Sequence, residues 1–163
     1  MLTTSTHYGL LIALAIALAF AAFTDLRRRQ IDNWLNAAIA LAAPAFWWSS
    51  GLSLWPDVAL QLGVALAAFV PLAGLFAIKM MGGGDVKLLT ALALWVPWDA
   101  FIQLLMVMAL AGGVLSIVMG IYHIMRRQRD RLAIPYGVAI AFGGLWVLYF
   151  NLLPAAAMAA GPA

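Results

Sequence analysis

Apolar residues dominate the chain in long runs, and short polar clusters separate these runs. Several runs approach the roughly 20 residues that a helix needs to cross a bilayer. None of them alternates with a period of two, as the strands of a membrane β-barrel would. The pattern therefore predicts one membrane-embedded domain, residues 1–163. Its expected fold is all-α and polytopic, a bundle of six transmembrane helices at about residues 8–25, 34–49, 57–79, 85–98, 99–125 and 132–153.

The fourth run is the shortest, at residues 86–96. Eleven helical residues rise only about 16 Å, roughly half the thickness of the hydrocarbon layer. To cross, this segment must include the glycines before it, or Asp85 must lie below the lipid surface. In both cases we expect Asp85 in a recess lined by protein rather than in a free loop.

Composition narrows the possible classes. The chain is 66% hydrophobic and 9% charged, which excludes an ordinary soluble domain. It has no cysteine, so disulfides, thiolate metal sites and a cysteine nucleophile are excluded. His7 and His123 form no HExxH pattern, which disfavours a zinc protease. We therefore expect no metal or cofactor. We also expect no nucleic-acid partner, because the arginines cluster at membrane edges.

The basic residues predict an orientation. With six spans and an external N-terminus, the first, third and fifth loops hold all nine lysines and arginines. The opposite loops hold none and carry Asp57 and Asp99. By the positive-inside rule, the basic loops are cytoplasmic and both termini face outward from the inner membrane. This topology brings Asp25 and Asp85, sixty positions apart, to the same cytoplasmic depth.

Gly82, Gly83 and Gly84 directly precede Asp85. Three glycines are costly in a lipid-facing helix, but they suit a place where two backbones come close. Ionisable residues near the bilayer are functional candidates by default. A structural alternative exists for each acid: Asp25 could pair with a neighbouring arginine, and Asp85 could stabilise the positive end of the fourth helix.

Two neighbouring carboxylates have a definite chemistry, because they share a proton. One can activate a water while the other, protonated, polarises a peptide carbonyl, so the pair predicts an aspartyl peptidase. A serine peptidase is disfavoured, since Ser116 and His123 lie about 10 Å apart along one helix. Two alternatives stay open: a small transporter or proton-relay subunit, and a non-catalytic assembly partner.

Three segments resemble one family. Residues 82–88, Gly-Gly-Gly-Asp-Val-Lys-Leu, look like the GxGD signature of the type IV prepilin peptidases, which are membrane aspartyl proteases. Residues 24–33 are similar to the segment around that family's first aspartate, and Ile134-Pro135-Tyr136-Gly137 resembles its motif at the last helix. The small size resembles the Tad/Flp pilus branch or the archaeal preflagellin-type relatives.

The resemblance implies cleavage of short basic leaders from prepilin-like precursors at the cytoplasmic membrane face. It implies Asp25 and Asp85 as the catalytic pair. The site-shaping or substrate-binding candidates are Gly82, Gly83, Gly84, Asp32, Lys87 and Pro135. The expected partners are these precursors and membrane lipid.

Two departures from the family pattern change these expectations. Asp32 stands where the family usually has proline. We hypothesise that Asp32 or Asp130 seats a basic residue of the leader. Larger members carry a cysteine-bearing insertion and also methylate the new N-terminus. Because this chain has no cysteine, we expect no methyltransferase activity and no need for S-adenosylmethionine.

Overall fold

The computed structural model describes residues 2–125 and 135–160, which are helical almost throughout. The elements in chain order are α1 (Leu2–Arg28), α2 (Asn33–Ser49), a π-helical turn (Leu54–Val58) leading into α3 (Ala59–Ala77), α4 (Gly83–Ala93), α5 (Trp98–Met125), and α6 (Tyr136–Val147), which continues through a second π-helical turn (Leu148–Leu152) into α7 (Leu153–Ala160). No strand occurs in these ranges, so the all-α prediction is confirmed.

Four stretches are long and apolar enough to cross a membrane: Ser5–Arg28, Leu54–Ala77, Trp98–Met125 and Tyr136–Met158. This confirms the prediction of a polytopic membrane protein. The other two predicted spans correspond to α2, with 17 residues, and α4, with 11. At 1.5 Å per residue α4 is only about 16 Å long, so it lies against protein rather than crossing alone.

Several helix bounds differ from the predicted ones. The fourth helix ends at Ala93 instead of residue 98. Tight turns follow it, with the amide of Trp95 bonded to the carbonyl of Leu92, and Pro97 then disfavours helical backbone at the residue before it. The last helix begins at Tyr136, directly after Pro135, and α7 extends it to Ala160. Its predicted start at 132–134 lies outside the described residues.

The C-terminal end of α4 is closed by side chains from its neighbours. Gln61 of α3 donates its Nε2 to the carbonyl of Ala93 at 2.7 Å and to that of Val96. Trp47 of α2 donates its indole nitrogen to the carbonyl of Leu94 at 2.7 Å. An unsatisfied backbone group inside a membrane costs several kcal/mol. These bonds therefore let a short helix end inside the bundle, and they fix its position along its axis.

Helix α6 lies in close contact with both α1 and α5. A Cβ atom added to Gly143 would lie 2.8 Å from the carbonyl oxygen of Leu104 on α5. One added to Gly144 would lie 2.9 Å from Leu18 Cδ1 on α1. Small residues permit such close helix approach in membranes. The contact with α1 helps to hold the start of α6 beside the end of α1 that carries Asp25.

Candidate active site

A recess of about 820 Å³ opens where the ends of α1, α3, α4 and α6 meet. Asp25 and Asp85 both line it, although sixty positions separate them. The other lining residues include those of the α1–α2 connection and the glycine triplet; they are Arg29, Gln30, Ile31, Asp32, Asn33, Phe76, Lys79, Met80, Met81, Gly82, Gly83, Gly84 and Tyr136. The recess thus contains the two acids that the sequence pattern singled out.

Asp25 lies in the last turn of α1 and is only 5% exposed. Its Oδ2 accepts a 2.7 Å hydrogen bond from the amide of Gly137, at the start of α6. Pro135, the residue that precedes α6, makes no side-chain cap bond. A helix start leaves free amides, and here a carboxylate from another helix accepts one of them. Asp25 therefore has a structural role as well as a candidate chemical one.

Gly137 makes this contact possible. A Cβ atom at this position would lie 2.8 Å from Asp25 Oδ2 and 2.9 Å from Ile31 Cδ1. No other residue could bring its amide so close to the carboxylate without displacing a neighbour. This contact gives the Pro-Tyr-Gly sequence a physical reason: proline precedes the helix, and glycine admits the acid.

Asp85 lies in the first turn of α4, outside the four crossing stretches. A Cβ atom at Gly82 would lie 2.8 Å from its Oδ2, so this glycine also makes room for a carboxylate. Burial, and secondarily the negative charge of Asp25, raise the pKa of Asp85 from 3.8 to about 6, against the effect of a hydrogen bond from the Gly82 amide. Asp85 is therefore able to hold a proton when an ordinary aspartate would not.

The other two glycines of the triplet meet different partners. A Cβ at Gly84 would lie 3.2 Å from Ile31 Cβ, and one at Gly83 would lie 3.1 Å from the Phe76 ring. The carbonyl of Gly84 accepts a 3.3 Å bond from the side chain of Asn36, which is buried. The three glycines thus permit three separate close approaches around Asp85.

Lys87 and Pro135 do not line the recess. Lys87 donates its Nζ to Asn33 Oδ1 at 2.7 Å, which ties α4 to the start of α2. Asp32 does line the recess, but its carboxylate is paired with Arg28 at 2.8 Å. Asp130 lies outside the described residues. No group of three or more metal-ligating side chains occurs in the described ranges.

The sequence pattern did not indicate that Asn36, Arg29 or Tyr136 belongs to the site. Asn36 carried a usable signal, because a lone amide in an apolar helix needs a partner when it is buried. Tyr136 belongs to the motif at the last helix, yet nothing in the motif indicates that its ring lines the recess. Arg29 was one arginine among three consecutive ones, and only the backbone distinguishes it from the others.

The family model of the type IV leader peptidase family matches residues 12–117. The prepilin leader peptidase/N-methyltransferases of two Burkholderia pseudomallei strains, 1026b and K96243, are each 29% identical over 122 residues, 69% of this chain and 38% of the relative. That of Pectobacterium carotovorum is 34% identical over 73 residues, 45% of this chain and 25% of the relative.

This chain therefore spans less than two fifths of the length of the curated relatives that it matches. No solved structure matches it.

Proposed function

The chain belongs to the type IV leader peptidase family, and from this premise we propose that it is a membrane aspartyl endopeptidase that removes the leader from type IV prepilin-like precursors. The observation that carries the proposal is that Asp25 and Asp85 line one recess. The name that the curated relatives share includes leader peptidase activity.

The proposed chemistry needs only the two acids and a water molecule. Two adjacent carboxyl groups ionise in two steps and share one proton between those steps. In that state one of them can take a proton from water, and the other can donate a hydrogen bond to the scissile carbonyl. The raised pKa of Asp85, at about 6, supports a shared proton.

The position of the recess suits a precursor with a basic leader followed by an apolar helix. Asp25 lies three residues before the end of the crossing stretch Ser5–Arg28. Phe76 and Met80 are exposed and line the same recess. A scissile bond between a polar leader and an apolar helix would reach the membrane boundary, where the two acids and these apolar side chains lie.

We further propose that this recess faces the cytoplasm and that the membrane is the inner membrane. All five lysines and arginines in the described ranges lie at this end of the bundle: at positions 27–29 at the end of α1, at 79 after α3 and at 87 near the start of α4. Their one-sided placement supports a cytoplasmic assignment under the positive-inside rule. The precursor and the surrounding lipid are the proposed partners.

We propose peptidase activity alone. The relatives' names add N-methyltransferase. The 163 residues include no cysteine, and the α1–α2 connection is only residues 29–32. Incubation with labelled S-adenosylmethionine and a cleaved precursor should transfer no label, and incorporation of label at the new N-terminus would contradict this part of the proposal.

The proposal is tested with the purified protein in liposomes and a precursor that has a basic leader ending in glycine. The parent should shorten the precursor, with the new N-terminus directly after that glycine. Asp85→Asn should leave the precursor at its full length. Asp57→Asn is the matched control, because Asp57 accepts bonds from Ser53 and lies outside the recess, and it should cleave like the parent. An intact precursor with the parent, or cleavage by Asp85→Asn, would overturn the proposal.

A further inference from the structure

Two residues other than glycine have left-handed backbone in the described ranges: Arg29, with φ 54°, and Lys79, with φ 61°. Arg29 directly follows the last residue of α1, and Lys79 follows α3 one residue later, after Ile78. Glycine is the usual residue with this backbone at a helix end. A side chain strains this conformation. Both residues are cations, and both line the recess that holds Asp25 and Asp85. Strained residues that persist at a candidate site suggest that their side chains are needed there.

Arg29 is closely tied to Asp25. Its amide donates to the carbonyl of Asp25 at 2.9 Å, so the two residues lie one helical turn apart. Both residues line the recess. The neighbouring Arg28 is instead paired with Asp32, and no salt bridge of Arg29 occurs among the described residues. Of these two arginines, Arg29 is the one that lines the recess with Asp25.

Burial disfavours the ionised form of both carboxyl groups, so their polar neighbours decide between them. Asp25 accepts the Gly137 amide at the positive end of α6 and lies one helical turn from Arg29. Asp85 receives the Gly82 amide and faces the negative charge of Asp25. Hydrogen-bond donors and cations favour a carboxylate, whereas a like charge favours the protonated acid.

We propose that Asp25 is the ionised general base of the pair, that Asp85 carries the shared proton, and that Arg29 is the positioning residue that maintains this assignment. The inference rests on the proposed peptidase function.

The assignment gives a balanced reaction. Asp25 takes a proton from water as the water oxygen bonds to the scissile carbonyl carbon, and Asp85 gives its proton to the carbonyl oxygen. The resulting gem-diol collapses as the C–N bond breaks. Asp25 then gives its proton to the departing nitrogen, and one hydroxyl of the diol returns a proton to Asp85. Both acids end in their starting states, with no oxidant or metal involved.

Other charged or titratable groups face the same recess. Asp32 lies just before α2 and is paired with Arg28. Lys79 faces the recess from the end of α3, and Tyr136 faces it from the start of α6. Lys87 is bonded to Asn33 and lies outside the lining. Because Arg29 is the cation one turn from Asp25, its removal should affect Asp25 first.

The test measures kcat/KM against pH for Arg29→Gly and Arg29→Lys in liposomes. Loss of a cation from the recess disfavours the ionised carboxylate, so the acid limb of Arg29→Gly should move to higher pH. Arg29→Lys keeps the charge and should restore the parental limb. Arg27→Gln is the charge control, because Arg27 lies over the Phe23 ring outside the recess, and its limb should not move.

Thermal unfolding gives a second measurement. Glycine relieves left-handed strain, so Arg29→Gly should raise Tm by about 2–4 °C, and Lys79→Gly, the strain control, should do the same. A lower Tm for Arg29→Gly would show that the backbone argument is wrong. If the acid limb of the kcat/KM profile does not move in Arg29→Gly, Arg29 does not have the proposed positioning role.

Infrared difference spectroscopy tests the proton's position without any substrate. At a pH just below 6, the pKa of Asp85, the carbonyl stretch of a protonated carboxyl group should be present. It should vanish in Asp85→Asn and persist in Asp25→Asn. The reverse pattern would overturn the assignment even if the parent cleaves precursors, while a correct pattern with no cleavage would contradict the proposed function alone.

Discussion

Replacement of Gly137 by alanine should reduce catalysis more than it reduces stability. The new Cβ would lie 2.8 Å from Asp25 Oδ2, whereas ordinary contact begins at 3.4 Å, so the carboxylate or α6 must move by at least 0.6 Å. Asp25 is buried and cannot swing into solvent. Misplacement by about 1 Å can cost about a hundredfold in rate, so we expect kcat to fall about tenfold or more. If α6 shifts instead, the charge-assisted bond from the Gly137 amide to Asp25, worth roughly 1.5–3 kcal/mol, is weakened.

Gly144→Ala is the matched control for this variant. It adds the same methyl group to the same helix, and its Cβ would lie 2.9 Å from Leu18 Cδ1, remote from the recess. Overpacking of this kind typically costs about 1–3 kcal/mol, so both variants should unfold at lower temperature. The assay is precursor cleavage at saturating substrate, corrected for folded protein. Parental kcat for Gly137→Ala would refute the reasoning, as would an equal loss of kcat in Gly144→Ala.

Three further predictions concern pH, stability and orientation. Because the pKa of Asp85 is raised to about 6 and the proposed active form keeps its proton, kcat/KM should fall above about pH 6; a flat profile from pH 6 to 8 would contradict this. Gln61→Leu leaves the carbonyls of Ala93 and Val96 without their donor, so the free energy of unfolding should drop by about 1–3 kcal/mol, and unchanged thermal unfolding would contradict the role given to Gln61. Single cysteines at Ser5 and Ser53 should be labelled from outside intact cells and one at Arg127 should not; external labelling at 127 would contradict the orientation.

The helical class could be predicted from the sequence because membrane insertion depends on composition. The common depth of Asp25 and Asp85 could be predicted because the basic residues indicate the orientation of each span. The sequence indicated a close approach at Gly82–Gly84 without identifying the partners. Those partners, Asp85 itself, Phe76 and Ile31, follow from tertiary packing. The end of α4 at Ala93 likewise depends on Gln61 and Trp47, which belong to other helices, so no local pattern contains it.

The structural role of Asp25 was the main feature that the sequence did not reveal. Its expected alternative was an ion pair with a nearby arginine, a contact within one segment. The observed contact is with the Gly137 amide, 112 positions away, and only the folded bundle creates it. The left-handed backbone of Arg29 could not be predicted either, because three consecutive arginines do not indicate which of them follows the helix end. The pairing of Asp32 with Arg28 likewise forms at the turn between α1 and α2.

The central claim, that Asp25 and Asp85 act as one catalytic unit, is tested most directly by precursor cleavage with Asp25→Asn, Asp85→Asn and the double variant. Asparagine keeps an oxygen that can accept the Gly137 amide, so Asp25→Asn should retain the start of α6 while it loses the charge. Each single variant should insert, unfold at a temperature close to that of the parent and leave the precursor intact. The double variant should be no worse than either single one, because removal of half of a catalytic unit already removes its function. Cleavage by either folded single variant at more than a trace of the parental rate would contradict the account.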